Sequence, residues 1–178
     1  WVLDNNPDTL EKHWQQFGRS TNTVFSTLSS VEEHVLEADL VIGGVLIPGA
    51  EAPKLVTREM IKAMKSGSVV VDVAIDQGGC FETSKATTHA EPTYIVDDVV
   101  HYCVANMPGG VPKTSTYALN NVTLPFALDI ANKGVTQALL NDEHLRAGLN
   151  VHSGKITCFE VAQDLGYEYV SALDVLNN

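Results

Sequence analysis

Along the first hundred residues, apolar runs short enough for strands alternate with segments whose apolar residues recur at helical spacing. "WVLDNN" opens as a strand ending at Asp4, Pro7 stands at a helix start, and Leu10, Trp14 and Phe17 follow with helical period. A short strand is expected from Thr23 to Ser26, after which Ser29 and Ser30 precede a helix carrying Val31, Val35 and Leu36. In "DLVIGGVL" the run after Asp39 has no polar side chain, as expected of a strand covered on both faces. Beyond the turn-rich "IPGAEAP", Thr57 is placed to cap a helix holding Met60, Ile61 and Met64; "KSGS" ends it, and a strand runs from Val69 to Val73. Strands joined by helices predict an α/β fold, a doubly wound parallel sheet with right-handed crossovers.

The pattern then changes. "HAEPTYIVDDVVHYCVANMPGG" has the β-branched and aromatic runs of two further strands, whereas "VPKTSTYALNNVTLPFALDIANKGVTQALL" predicts one or two helices, starting at Pro112 and interrupted at Pro125. A helical pair around "HLRAGLNVHSGKIT" completes the chain. The boundary falls at Gly109 and Gly110, which gives an α/β body over 1–107 and C-terminal helices over 108–178.

Composition narrows the function classes. Among 178 residues, Asp and Glu outnumber Lys and Arg 22 to 11, so the basic footprint that nucleic-acid backbones select is missing. No apolar stretch approaches the roughly 20 residues of a membrane span. Cys80, Cys103 and Cys158 are odd in number and lack metal-ligand spacing, which suits buried thiols in a reducing cytoplasm and no metal site. The chain starts without an initiator Met or a signal peptide, already inside a strand, and reads as the later part of a longer protein.

Ligands of open parallel sheets collect at the carboxyl ends of the strands. Asp4, Ser26, Gly43 to Leu46 and Asp76 all fall there by this reading. An acid in the place of Asp4 either accepts hydrogen bonds from a ribose or merely caps the next helix. "VAIDQGGC" is sharper: Asp76, at a strand end before two glycines, suits proton transfer in a cleft, whereas Asp72 hydrogen-bonds structurally and Gln77 orients a substrate or faces water. In "HYCVANMPGG", Asn106 has an amide able to hold a carboxamide and Met107 is an adaptable apolar neighbour. His89, His101 and His152 lack ligand spacing and read as packing or surface residues.

"ADLVIGGVLIPGAEAPKLVTREMIKAMKSGSVVVDVAIDQGGCFETSKATTH" and "HYCVANMPGGVPKTSTYALNNVTLP" resemble the L-alanine dehydrogenase family, with a match from Asp4 to about Leu173. The resemblance implies a Rossmann-like sheet, incomplete here because its first strand and glycine-rich loop lie upstream, followed by helices that return to a substrate domain. It implies NAD as cofactor, reversible deamination of L-alanine to pyruvate and ammonium, and a homohexamer. By position it implies that Asp4 binds the adenosine ribose, Ser26 approaches the adenine, and Val45 with Leu46 lines the adenosine pocket. Val73, Ala74, Ile75 and Asp76 would flank the nicotinamide, with Asp76 the catalytic acid/base; Val104, Ala105, Asn106 and Met107 would complete that side. Thr9 and Lys85 depart from the family, the latter standing among the cofactor contacts where arginine is usual. The nucleotide-binding part of a transhydrogenase is the nearest alternative, against which "DQGGC" argues; a non-catalytic nucleotide-binding or oligomerising module is another, and a methyltransferase a remote third.

Overall fold

The computed structural model describes residues 1–47 and 49–177. Its chain divides into two compact units, Trp1–Leu46 with Glu51–Met107, and Ile47–Ala50 with Pro108–Asn178.

In the first unit β1 (Val2–Asp4) leads to α1 (Pro7–Phe17), β2 (Thr23–Phe25), α2 (Leu28–Glu37) and β3 (Leu40–Gly43). Then come α3 (Arg58–Ala63), β4 (Val69–Asp72), β5 (Thr93–Val96) and β6 (Val99–Tyr102). The caps follow from the residues: the Asn6 side chain accepts from the Asp8 N–H ahead of Pro7, and Thr57 accepts from the Met60 N–H. In α2 the cap is Thr27, two residues earlier than the expected Ser29. Thr27 and Ser30 each satisfy the other's backbone N–H at 3.1 and 2.8 Å, which makes Ser30 the third helical residue of a capping box.

Strand β1 pairs in parallel with β2, and β3, β4 and β6 form a second parallel set in that order. The α/β reading therefore holds. Its parallel sheet gains an antiparallel edge, since β5 folds back on β6 through Asp97 and Asp98. Both have positive φ (49° and 63°), the twist that a two-residue hairpin turn requires. Among the described residues no ladder joins β1 to β3, so each keeps one unpaired edge. Val31 and Val35 of α2, Ile61 of α3, Val70 of β4, Phe81 and Val99 of β6 form the core. The register sets Gly43 beside Asp72, so β3 and β4 end at one level.

The second unit holds α4 (Pro112–Lys133), α5 (Val135–Asn141), α6 (Glu143–Ala147), β7 (Val151–His152), β8 (Lys155–Ile156), α7 (Phe159–Leu165) and α8 (Ala172–Leu176). The expected break at Pro125 does not occur. That proline falls more than three turns into α4, and the rungs on either side outweigh the one it removes. The expected helical pair around "HLRAGLNVHSGKIT" is instead one short helix and a hairpin, closed by Ser153 and Gly154 at φ 49° and 77°. Ser-Gly between two short runs was the overlooked turn signal.

Candidate functional site

Because β3 and β4 end in register, the segments that leave them, Gly44 to Leu46 and Val73 to Gln77, run side by side. Between them lies a cavity of about 420 Å³ walled by Gly44, Val45, Leu46, Val73, Ala74, Asp76 and Gln77. Leu46 and Val73 expose apolar surface, and Asp76 is the one acid of the wall. A flat ring fits such walls, and one convergent carboxylate gives the site its chemistry.

The loop carrying Asp76 is held from three directions. Asp72, wholly buried at the end of β4, accepts from the N–H of Ala74 at 3.0 Å and of Cys80 at 2.9 Å, and from the Ser84 hydroxyl. Lys54 Nζ donates to the carbonyls of Gly78 and Gly79 at 2.5 and 2.7 Å. The strand-like segment before α3 runs along the loop, with Ala52 N–H on Gln77 O, Leu55 N–H on Cys80 O, and Val56 bridging Phe81. The glycine pair of "DQGGC" serves this internal packing: a Cβ on Gly79 would lie 2.6 Å from Asp72 Oδ2, and one on Gly78 would lie 2.8 Å from Glu51 Oε1. Gly43 is excluded from having a side chain by Cys80 and Phe81.

Burial sets the protonation of two groups near the loop. Burial, then the neighbouring Asp72 charge, pushes the Cys80 thiol up to about 12, so it stays protonated and unreactive. Burial also lowers the His101 pKa. His101 donates from Nδ1 to Val99 O at 2.9 Å and accepts from Thr83 Oγ1 at 2.7 Å, a satisfied core histidine. Among the described residues no group of three or more His, Cys, Asp or Glu is arranged to hold a metal ion.

The candidates named from sequence fall into three places. Val45, Leu46, Val73, Ala74 and Asp76 share the cavity; Ile75, between them, is buried. Asp4 and Ser26 are neighbours at the ends of β1 and β2, where Ser26 N–H donates to Asp4 O at 2.9 Å and Asp4 Oδ1 accepts from Asn6 N–H at 2.7 Å. Val104 to Met107 follow β6. There Val104 is fully buried and bridges Thr87, Ala105 N–H donates to Thr87 O, and the exposed Asn106 adopts φ 54° with its carbonyl bonded to His89 Nε2. Lys85 is exposed, its N–H bonded to the Tyr94 hydroxyl. Neither the Lys85 group nor Val104 to Met107 lines the cavity.

Gly44, expected at the strand ends with its neighbours, and Gln77, expected either to orient a substrate or to face water, both wall the cavity although no cofactor role was assigned to them. Lys54 was not singled out at all. It lies 24 residues from Gly78, and no local pattern marks a lysine that caps carbonyls so far along the chain. A larger cavity, about 700 Å³, opens among α4, α5 and α6. Its charges are already engaged: Lys133 pairs with Asp129 at 2.6 Å, Asp142 accepts from the N–H groups of His144 and Leu145, and Arg146 donates to Leu139 O and Leu140 O. It presents no convergent reactive group.

The family described as "Alanine dehydrogenase/PNT, C-terminal domain" matches residues 1–159. The chain is 60% identical over 175 residues to an alanine dehydrogenase of Halomonas elongata, covering 98% of this chain and 47% of that protein. To an alanine dehydrogenase of Bacillus subtilis it is 56% identical over 178 residues, covering 99% and 47%. A solved L-alanine dehydrogenase superposes with a TM-score of 0.79 at 46% identity, over 93% of this chain and 45% of the other. A transhydrogenase from Sinorhizobium meliloti superposes with a TM-score of 0.60 at 31% identity, over 88% and 41%. The chain spans about half the length of the curated relatives it matches.

Proposed function

The chain belongs to the alanine dehydrogenase/PNT C-terminal domain family, and from that premise we propose that it forms the NAD-binding part of an enzyme that reversibly deaminates L-alanine to pyruvate and ammonium. The observation that carries this reading is the cavity at the ends of β3 and β4, where Asp76 is the single acid on a largely apolar wall. That wall fits a nicotinamide riboside: Leu46 and Val73 offer exposed carbon to its flat ring and sugar. Held by these residues, NAD would supply the acceptor for the hydride that leaves the substrate's α-carbon.

Within this proposal the residues of this chain divide the work. Asp76 takes a proton from the amine or from an attacking water and gives it back in the reverse direction; its loop fixes where that exchange happens. Val73, Ala74 and Ile75 flank the nicotinamide and its ribose, and Val45 with Leu46 borders the adenosine side. Asp4 holds the adenosine ribose with Ser26 beside the adenine, a role supported by their adjacency. Ala105, Asn106 and Met107, which lie off the cavity wall, extend the nicotinamide side from a segment anchored by the buried Val104, with Lys85 an outer contact. Residues 1–107 act as the nucleotide-binding domain, and the unpaired edges of β1 and β3 support a first strand supplied from upstream. Residues 108–178 return to the substrate domain. A cytoplasmic homohexamer accords with the free thiols and with the apolar surface of α4.

The test uses the full-length protein with L-alanine and NAD, following nicotinamide absorbance. Asp76→Asn lowers kcat at least ~100-fold while NADH affinity stays within about threefold. A variant that turns over like the parent would remove Asp76 from the proton transfer. Absence of alanine-dependent NADH formation by the parent would remove the whole reading.

A further inference from the structure

Asp72 has no part in that chemistry, yet it is wholly buried and forms no ion pair among the described residues. Burying a carboxylate is costly where an apolar side chain would pack without that penalty, so its presence calls for a use. The position of its hydrogen bonds supplies one. Oδ1 accepts from the N–H of Ala74 and, at 3.6 Å, from the Cys80 thiol; Oδ2 accepts from the N–H of Cys80 and the Ser84 hydroxyl. One side chain thus ties residue 74 to residue 80 and closes the neck of the loop between them. Asp76 sits inside that ring. Gly79 completes it, because only a residue without Cβ leaves room for Oδ2.

We infer that Asp72 is the positioning residue for Asp76, a carboxylate clamp that sets where the proton-transfer group stands in the cavity. The inference rests on the reading of Asp76 given above. It assigns separate work to the two acids of "VDVAID": the first shapes the loop, and the second meets the substrate.

An asparagine at position 72 keeps the size of the side chain but puts a donor where one backbone N–H now finds an acceptor, so the neck loosens at Ala74 or at Cys80. Displacement of a reacting group by about 1 Å costs ~100-fold in rate. In the full-length enzyme, Asp72→Asn therefore lowers kcat by about 100-fold with the KM for NAD within about threefold. Introduced into an Asp76→Asn background, the same change lowers the residual rate by less than about threefold, since the group it positions is already gone. Equal losses in both backgrounds, or full activity of the single variant, would overturn the clamp. Ser84→Ala, which deletes one donor and no backbone contact, gives a loss of about tenfold with the same dependence on Asp76, and it serves if Asp72→Asn does not fold. Amide exchange reads the clamp apart from any reaction: either variant speeds exchange at Ala74 and Cys80 while Val70 and Val99 keep their protection. Unchanged exchange at Ala74 and Cys80 would overturn the proposal even if the enzyme proved to act on another substrate.

Discussion

The region around β3, β4 and β6 and the helix α4 both carry many apolar residues and treat them in opposite ways. In the sheet region they alternate or cluster so that Val70, Phe81 and Val99 lose all contact with solvent. In α4 none of the 22 residues is buried. At 100° per residue Tyr117, Leu124 and Leu128 lie along one face, while Leu119, Val122 and Phe126 lie along the opposite one. A helix apolar on both sides has room for cover on both sides, so the contrast separates a closed core from a surface open to further packing, which the proposed assembly would supply. Phe81→Ala in the 178-residue chain costs about 3–5 kcal/mol in denaturant unfolding, the usual result of emptying a packed aromatic site. Leu119→Ala costs less than about 0.5 kcal/mol there; in the full-length protein the proposed assembly predicts about 2 kcal/mol or more. Equal penalties for the two substitutions in the short chain would erase the distinction.

Two glycines sharpen it at smaller scale. Gly79, in the loop after β4, and Gly154, in the hairpin between β7 and β8, have nearly the same backbone, at φ 78° and 77°. Their surroundings differ: a Cβ on Gly79 meets Asp72 and Ser84, whereas one on Gly154 meets nothing within 4 Å. Alanine at either position pays the left-handed conformational cost of about 1–2 kcal/mol. Only at Gly79 does it also displace a buried hydrogen-bonded carboxylate, adding about 2 kcal/mol. The difference between the two variants' unfolding free energies measures how tightly the loop is packed; a difference near zero would mean that Asp72 yields freely.

The same contrast governs what the sequence disclosed. Period-2 and period-3.6 patterns located the strands and helices around the core because burial imposes those patterns, and the placement of Asp76 beside Val45 and Leu46 follows from two parallel strands ending in register. The break expected at Pro125 and the helix expected around "LNVHSGKIT" failed where local propensity was read without the competing rungs and turn geometry. Asp72 was legible as a structural acid. Its partnership with Cys80 and Ser84 was not, since it depends on a loop folding back over 8 and 12 residues. Lys54 was invisible for the same reason.

The thiols make the smallest and most selective probe of these regions. Cys80 and Cys103 are buried in the first unit, and Cys158, in the second, is partly exposed. Alkylation requires both access and thiolate. With its pKa pushed to about 12 by burial and by Asp72, Cys80 is ionised to only about one part in ten thousand at pH 8. Iodoacetamide at that pH therefore labels Cys158 alone in the folded chain, with Cys80 and Cys103 following only on unfolding, as peptide mass mapping would report. Asp72→Asn removes the charge that helps to hold the Cys80 proton and loosens the loop above it, so Cys80 labelling accelerates in that variant while Cys158 labelling keeps its rate. If Cys80 reacted as fast as Cys158 in the parent chain, the loop would be opening far more often than its three sets of hydrogen bonds allow, and the sheet region would lose its claim to be the closed half of the comparison.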